Sequence, residues 1–296
     1  VLGCLVALVL AGCGLFSTPR QEGVTSSTDE VDTTRTVALG EEFLLGDLLA
    51  LGVPVLASTV TTPSAGVQGL DRYDTSDIEV LPSTSRDLEP VLTLNPTLIV
   101  ATDFVVAEVG RDRLEAVAPV VTVGVGDWRD VFSDLGAALD VPDTAAAALA
   151  EYDRLVRDGQ RRIRRDDVGP VSVATVYPGE AIAVWGAGPS TVPGVLTDLG
   201  VELAPDGDDV ELDENGRAFV SVEQMPELLS GETLMLLQSE AVEGESEALQ
   251  ATLDGPVLRA VPAVAADRVA VLDRLGYPGL PGRLEAVIDL QELLIG

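Results

Sequence analysis

The sequence predicts an α/β protein of two Rossmann-like lobes joined by a single long helix, with a ligand cleft between the lobes. Three observations carry that prediction. One order of strands and helices is written twice along the chain. Several strands are unbroken apolar runs of the kind buried inside parallel sheets. A single helical stretch of twenty-odd residues separates the two halves.

The chain opens on an apolar stretch, residues 1–12, that closes on Leu10-Ala11-Gly12-Cys13. A branched residue, two small residues and a cysteine form a lipobox, so 1–12 reads as a lipoprotein signal peptide and Cys13 as the lipidated first residue of the mature chain. At about 20 apolar residues for a bilayer-spanning helix, 1–12 is too short to span. No basic n-region and no Met precede it, so the reading expects either a few further residues before Val1 or an alternative start. Residues 13–35, rich in Ser, Thr, Asp and Glu between 17 and 34, are expected to be a flexible polar tether.

The first lobe is expected over 36–141. It begins with a strand at 36–39, a helix at 42–51 whose apolar face holds Phe43, Leu44, Leu48, Leu49 and Leu51, and a strand at 53–57 entered through Gly52-Val53-Pro54. A short helix in 87–94 then leads through Asn95-Pro96 to the apolar strand Leu98-Ile99-Val100, and a small helix from 113 reaches Pro119 and a valine-rich strand. Residues 142–167 are the expected linker helix, with Asp143 as its N-cap, apolar residues from Ala145 to Ile163 near a 3.6 period, and arginines from Arg154 to Arg165 toward its C-terminus.

The second lobe, 168–296, is expected to repeat the order. Strands at 171–176 and 181–185, a helix at 193–199 ended by Gly200, and a strand at 201–203 answer the opening of the first half. The segment Ser221-Val222-Glu223-Gln224-Met225-Pro226-Glu227-Leu228 then leads to a strand at 233–237, and 257–272 places Pro262 before another valine-rich strand. Ligands of open α/β sheets lie outside the carboxyl ends of the strands, where the two lobes' loops would converge.

Composition narrows the chemistry. The 18 basic residues are all arginine, there is no histidine, and 49 acidic residues bring the net charge to −31. Such a chain repels phosphate backbones, so nucleic acid is not an expected partner. Without histidine there is no Ser-His-Asp or Cys-His nucleophile, no His-containing zinc site and no His-ligated haem; an enzyme would need Asp, Glu, Tyr or Arg alone, and with no recognisable nucleophile and base pair none is expected, nor a cofactor or metal site. Of the two cysteines, Cys4 leaves with the signal and Cys13 carries lipid, so no disulfide is expected in the mature chain.

These residues resemble the siderophore-, cobalamin- and haem-binding lipoproteins that serve ATP-driven (ABC) importers, the class III periplasmic-binding-like proteins. The resemblance runs over 36–296. Its marks are Ala38-Leu39-Gly40 with Leu48-Leu49-Ala50-Leu51-Gly52-Val53, Leu88-Glu89 leading to Leu94-Asn95-Pro96-Thr97-Leu98-Ile99-Val100, the 220–228 segment, and Val261-Pro262-Ala263-Val264 before Arg268-Val269. It implies a monomeric, lipid-anchored protein on the outer face of the cell membrane. Such a protein captures a small-molecule iron chelate and passes it to a dimeric permease.

The resemblance further implies that Glu89 and Glu223 dock onto permease arginines, a role suited to carboxylates held at helix N-termini. It implies a cleft lined by arginines and aromatics on strand-end loops, for which the chain offers Arg86, Phe104, Trp128, Arg129, Tyr177, Trp185, Phe219, Arg274 and Tyr277. Ser83 stands where some hydroxamate binders carry an arginine, and no tryptophan precedes Val220, so a ferrichrome-type site does not carry over. The negative charge favours a neutral or cationic ferric hydroxamate over an anionic catecholate. The alternatives are haem held by a tyrosine (Tyr73, Tyr177 or Tyr277), a corrinoid, or a lipoprotein that binds another envelope protein.

Overall fold

The computed structural model describes residues 22–28, 31–82, 87–179, 181–206 and 209–295. The expected signal peptide, Cys13, Ser83 and Arg86 lie outside the described residues. The fold is a two-lobed α/β architecture built on two sheets.

The first sheet holds β1 (Val24–Ser26), β2 (Thr36–Leu39), β3 (Val55–Val60), β4 (Glu79–Pro82), β5 (Leu98–Thr102) and β6 (Val120–Val123), in the order β1-β6-β5-β2-β3-β4. From β6 through β4 every pairing is parallel. All four residues of β2 and of β6 are buried, which explains their lack of alternation. Around this sheet stand α1 (Glu41–Ala50), α2 (Glu89–Thr93), α3 (Asp103–Val109), α4 (Arg111–Glu115) and α5 (Trp128–Ala138). Helix α1 ends in a turn at Gly52, φ 72°, where the N–H of Val53 reaches back to the Leu48 carbonyl at 3.0 Å. The strand expected at 53–57 starts beyond Pro54, at Val55, and runs on to Val60.

The polar tether expected over 13–35 is corrected at its C-terminal part. Val24, Thr25 and Ser26 pair antiparallel with Val123, Thr122 and Val121 and cap the open edge of β6. Edge strands need little apolar surface, so polar composition did not exclude one here.

The second sheet holds β7 (Val171–Tyr177), β8 (Ala181–Trp185), β9 (Arg217–Val220), β10 (Thr233–Gln238) and β11 (Val269–Asp273), in the order β11-β10-β7-β8-β9. Its helices are α7 (Thr191–Asp198), α8 (Met225–Leu228), α9 (Glu245–Asp254), α10 (Pro262–Ala265) and α11 (Gly279–Ile295). The core strands β11, β10 and β7 occupy the places of β6, β5 and β2 and are likewise parallel. Beyond them the repeat fails. β7, β8 and β9 form an antiparallel meander, where the first lobe uses parallel strands joined through α1. The strand expected at 201–203 makes one bridge, Val171 to Leu203, and stops before Pro205, which has no N–H for a ladder.

The chain passes from the first sheet to the second once, by way of α5 and α6 (Pro142–Asp166). At 25 residues, α6 is about 38 Å long at 1.5 Å per residue. The expected cap at Asp143 is corrected: Val141 is the N-cap and Pro142 takes the first helical position, where proline's missing N–H costs nothing. Ala145, Tyr152, Val156, Gly159 and Ile163 form its buried stripe. At Gly159 a β-carbon would stand 2.4 Å from Leu199 and 2.8 Å from the Gln291 amide, so glycine lets α7 and α11 close on α6. One apolar cluster runs through both lobes, from Leu44 and Leu48 of α1 to Leu196 of α7 and Val287 and Leu290 of α11.

Candidate functional site

The carboxyl ends of β2, β3 and β11 meet at a cavity of about 210 Å³ between the lobes, bordered by Glu41, Glu42, Thr61, Thr191, Arg274 and Tyr277. On the first lobe's side the backbone leaves β2 and turns sharply. The Thr59 hydroxyl accepts the N–H groups of Gly40 and Glu41, each at 3.1 Å, and Glu41 takes φ 59°, unusual for a residue with a side chain. Glu42 is buried. Its Oε2 accepts from the Thr61 N–H at 3.0 Å and hydroxyl at 2.8 Å, while its Oε1 has no partner among the described residues. Glu41 keeps solvent access, yet crowding by the surrounding protein and then the charge of Glu42 hold its carboxyl above the usual range, against the pull of Thr61 and Arg274.

On the second lobe's side Arg274 clamps Glu245, the first residue of α9. Its Nε lies 3.0 Å from both carboxylate oxygens and its Nη2 donates to Oε1 at 2.6 Å. Glu245 is 1% exposed and also accepts the Ser239 N–H at 2.9 Å. Burial pulls the Arg274 guanidinium down, but its bonds to Glu245 outweigh that and hold it above its ordinary value. Next to this pair, the register of the meander sets Tyr177, Trp185, Arg217 and Phe219 on one sheet face, since Trp185 opposes Arg217 and Ala183 opposes Phe219. Tyr177 and Phe219 lie 6.1 Å apart by ring centroids, and the Arg217 guanidinium is 5.1 Å from the Phe219 centroid and 5.9 Å from that of Trp185. Asp213 pairs with Arg217 at 2.9 Å.

A second group sits at the joint of the lobes, apart from that cavity. Trp128 packs edge-on against Tyr152 at 5.0 Å, with Arg129 and Arg283 at 4.4 and 4.3 Å from its ring. Asp198 accepts from the Tyr152 hydroxyl at 2.6 Å and from Arg129 at 3.0 Å. Burial, and then the bond to Asp198, push the Tyr152 hydroxyl well up. Arg283, 1% exposed, donates to the Pro189 carbonyl at 2.6 Å. Asp47 of α1 accepts the Leu280 N–H at 2.7 Å across the joint. Burial lifts its carboxyl to about 7, although that bond and the charge of Arg283 pull the other way.

The sequence family model of the periplasmic binding proteins matches residues 37–274. This chain belongs to the periplasmic binding protein family. It is 26% identical over 247 residues to the ferric enterobactin-binding periplasmic protein FepB of Escherichia coli, covering 77% of this chain and 76% of that one. The fold is shared with Staphylococcus aureus SirA complexed with staphyloferrin B, at a TM-score of 0.74 and 19% identity over 90% of this chain and 94% of that one. A FhuD-fold protein of Bacillus subtilis, a component of a Fep/Fec-like ferrichrome ABC transporter, superposes at 0.72 with 20% identity, covering 90% and 96%. The siderophore periplasmic binding protein from the fuscachelin gene cluster of Thermobifida fusca gives 0.68 and 20%, covering 90% and 97%. Members of the periplasmic binding protein family carry solutes and are not enzymes.

In this periplasmic binding protein the residues predicted from sequence fall in different places. Arg274 and Tyr277 meet at the interlobe cavity, and Tyr177 and Phe219 stand on the adjoining sheet face. Trp185, expected on a loop, is inside β8 at 8% exposure, with its indole N–H donating to the Thr175 hydroxyl at 3.0 Å. Trp128 and Arg129 belong to the joint. Phe104 stands 66% exposed in the first turn of α3. The Tyr277 hydroxyl donates to Asp289 at 2.9 Å, across a separate hollow of about 440 Å³ that also reaches Tyr73. Glu89 is exposed at the start of α2, its N–H bonded to Asp87 at 3.0 Å. Glu223 is exposed in a short turn of helix after β9, and its own N–H and the Ser221 hydroxyl lower its carboxyl. Sequence reasoning missed Glu41, Glu42, Arg217 and Glu245. The doublet Glu41-Glu42 directly after a strand and the spacing Arg217-x-Phe219 were the available signals.

Proposed function

We propose that this periplasmic binding protein captures a ferric siderophore between its lobes outside the cytoplasmic membrane, held there by lipid on Cys13, and hands it to the permease of an ABC importer. The observation that carries the reading is the match over 37–274, with strand ends of both lobes meeting at a cavity that presents Arg274 and Tyr277. Relatives support the ligand class: FepB is ferric enterobactin-binding, and SirA was solved with staphyloferrin B. Glu89 and Glu223 are the docking carboxylates in this reading, being exposed and each in the first turn of a short helix.

Within the siderophores a hydroxamate complex is favoured. Arg274 is already neutralised by Glu245, and Glu41 and Glu42 add negative charge to the same cavity, so an anionic chelate meets repulsion there. Titration with a ferric trihydroxamate, a ferric tricatecholate, haemin and cobalamin, followed by tryptophan fluorescence, tests the reading. Saturable quenching by the trihydroxamate supports it. Tighter binding of the tricatecholate removes the hydroxamate preference, a saturable shift of the haemin Soret absorption with no response to either siderophore replaces siderophore by haem, and no response to any of them removes chelate capture.

A further inference from the structure

The interlobe cavity holds more negative charge than its arginine balances. Arg274 and Glu245 close on each other through a bidentate clamp. Across from them Glu41 and Glu42 stand beside Thr61, and neither has an ion-pair partner within 4.0 Å among the described residues. Glu42 is 4% exposed, and its Oε1 has no hydrogen-bond partner among the described residues. A buried carboxylate oxygen without a donor is unfavourable and calls for one from outside the chain. The Glu41 carboxylate stands beside that of Glu42: the Thr61 hydroxyl lies 2.8 Å from Glu42 Oε2 and 3.4 Å from Glu41 Oε2.

We propose that Glu41 and Glu42, with Thr61, form a carboxylate subsite for a primary ammonium or similar cationic N–H group on the chelate, so that the protein selects positively charged ferric chelates over neutral or anionic ones of equal size. This rests on the chelate-capture reading above. At about 210 Å³ the cavity is smaller than sites that enclose a whole drug-sized ligand, roughly 300–1,000 Å³, and suits one alkylammonium arm. A metal ion fits less well, because among the described residues no three acidic or cysteine side chains gather to hold one. Crowding and the charge of Glu42 raise the Glu41 carboxyl, a penalty that a bound cation relieves.

The test compares two probes of one shape, the ferric complex of desferrioxamine B, which carries a terminal ammonium, and that of its N-acetylated form, which does not. Both are titrated by tryptophan fluorescence into wild type, Glu41→Gln and Glu42→Gln, with each variant's thermal unfolding recorded. Wild type is expected to bind the ammonium form roughly tenfold or more tightly, the scale of a charge-assisted hydrogen bond. Glu42→Gln is expected to erase the difference between the two complexes, and Glu41→Gln to reduce it. Glu41 is solvent-accessible, so its variant keeps the test decisive if Glu42→Gln fails to fold. Equal binding of both probes by wild type, or discrimination that survives in every folded variant, overturns the subsite and leaves chelate capture standing. Binding of a ferric tricatecholate but of neither probe does the same. Failure of every ferric chelate to bind removes both proposals.

Discussion

Asp47 offers a sharp test of how the lobes are joined. Its carboxyl is buried in α1, accepts the Leu280 N–H at the start of α11, and is lifted from 3.8 to about 7, burial outweighing that bond and the Arg283 charge. The folded protein therefore holds the Asp47 proton more tightly than the unfolded chain does. The resulting stability is fully present below pH 3.8 and is lost as the pH rises through 7. A gap of about three pH units at about 1.4 kcal/mol each comes to about 4 kcal/mol. Asp47→Asn keeps a carbonyl oxygen for Leu280 and removes the titration. Urea unfolding of both proteins from pH 4 to pH 8 gives the difference curve, in which contributions of the other carboxylates cancel. The variant is expected to gain about 4 kcal/mol on wild type across that range, most of it between pH 4.5 and pH 7. A flat difference would refute the reasoning, since Asp47 would then ionise alike in both states, its charge carried by Leu280 and Arg283.

Other perturbations separate the remaining roles. Glu89→Ala with Glu223→Ala is expected to leave chelate affinity within twofold and to abolish cellular uptake; transport at the wild-type rate removes the docking role. Arg274→Met strands the buried Glu245 charge and is expected to cost about 3 kcal/mol in urea unfolding, with most of that recovered by adding Glu245→Gln. Gly159→Ala drives a methyl into Leu199 and Gln291, and the overpacking is expected to exceed the helix-propensity gain of about 1 kcal/mol, for a net loss of about 1–2 kcal/mol. Because one apolar core runs through both lobes, the radius of gyration in solution scattering is expected to stay nearly constant on chelate binding; a change of several ångströms contradicts that.

Local chemistry was legible in the sequence. Apolar runs such as Leu98-Ile99-Val100 and Leu234-Met235-Leu236 carry their burial on every residue, so they announced central parallel strands. The 3.6 period from Ala145 to Ile163 announced the long helix, and the marks from Ala38 to Val269 announced the family. Strand direction at the sheet margins was not legible. Residues 181–185 would read the same beside β7 whether parallel or antiparallel, because both faces of that strand are covered.

The site divided along the same line. Residue types that suit a chelate cleft could be named from sequence, but contact depends on which distant segments the fold brings together. Arg274 could be named a cleft candidate by type, but its clamp on Glu245, 29 residues earlier on α9, exists only in the fold. Asp47 meets Leu280 across 233 residues. Trp185 and Phe219 share a sheet face, yet one is buried and the other exposed, because β9 is the sheet edge and β8 is not. Periodicity and turn chemistry act over a few residues and so leave their trace in sequence. Charge balance, burial and the shape of a cavity are sums over neighbours from the whole chain, and only the folded structure sets those neighbours.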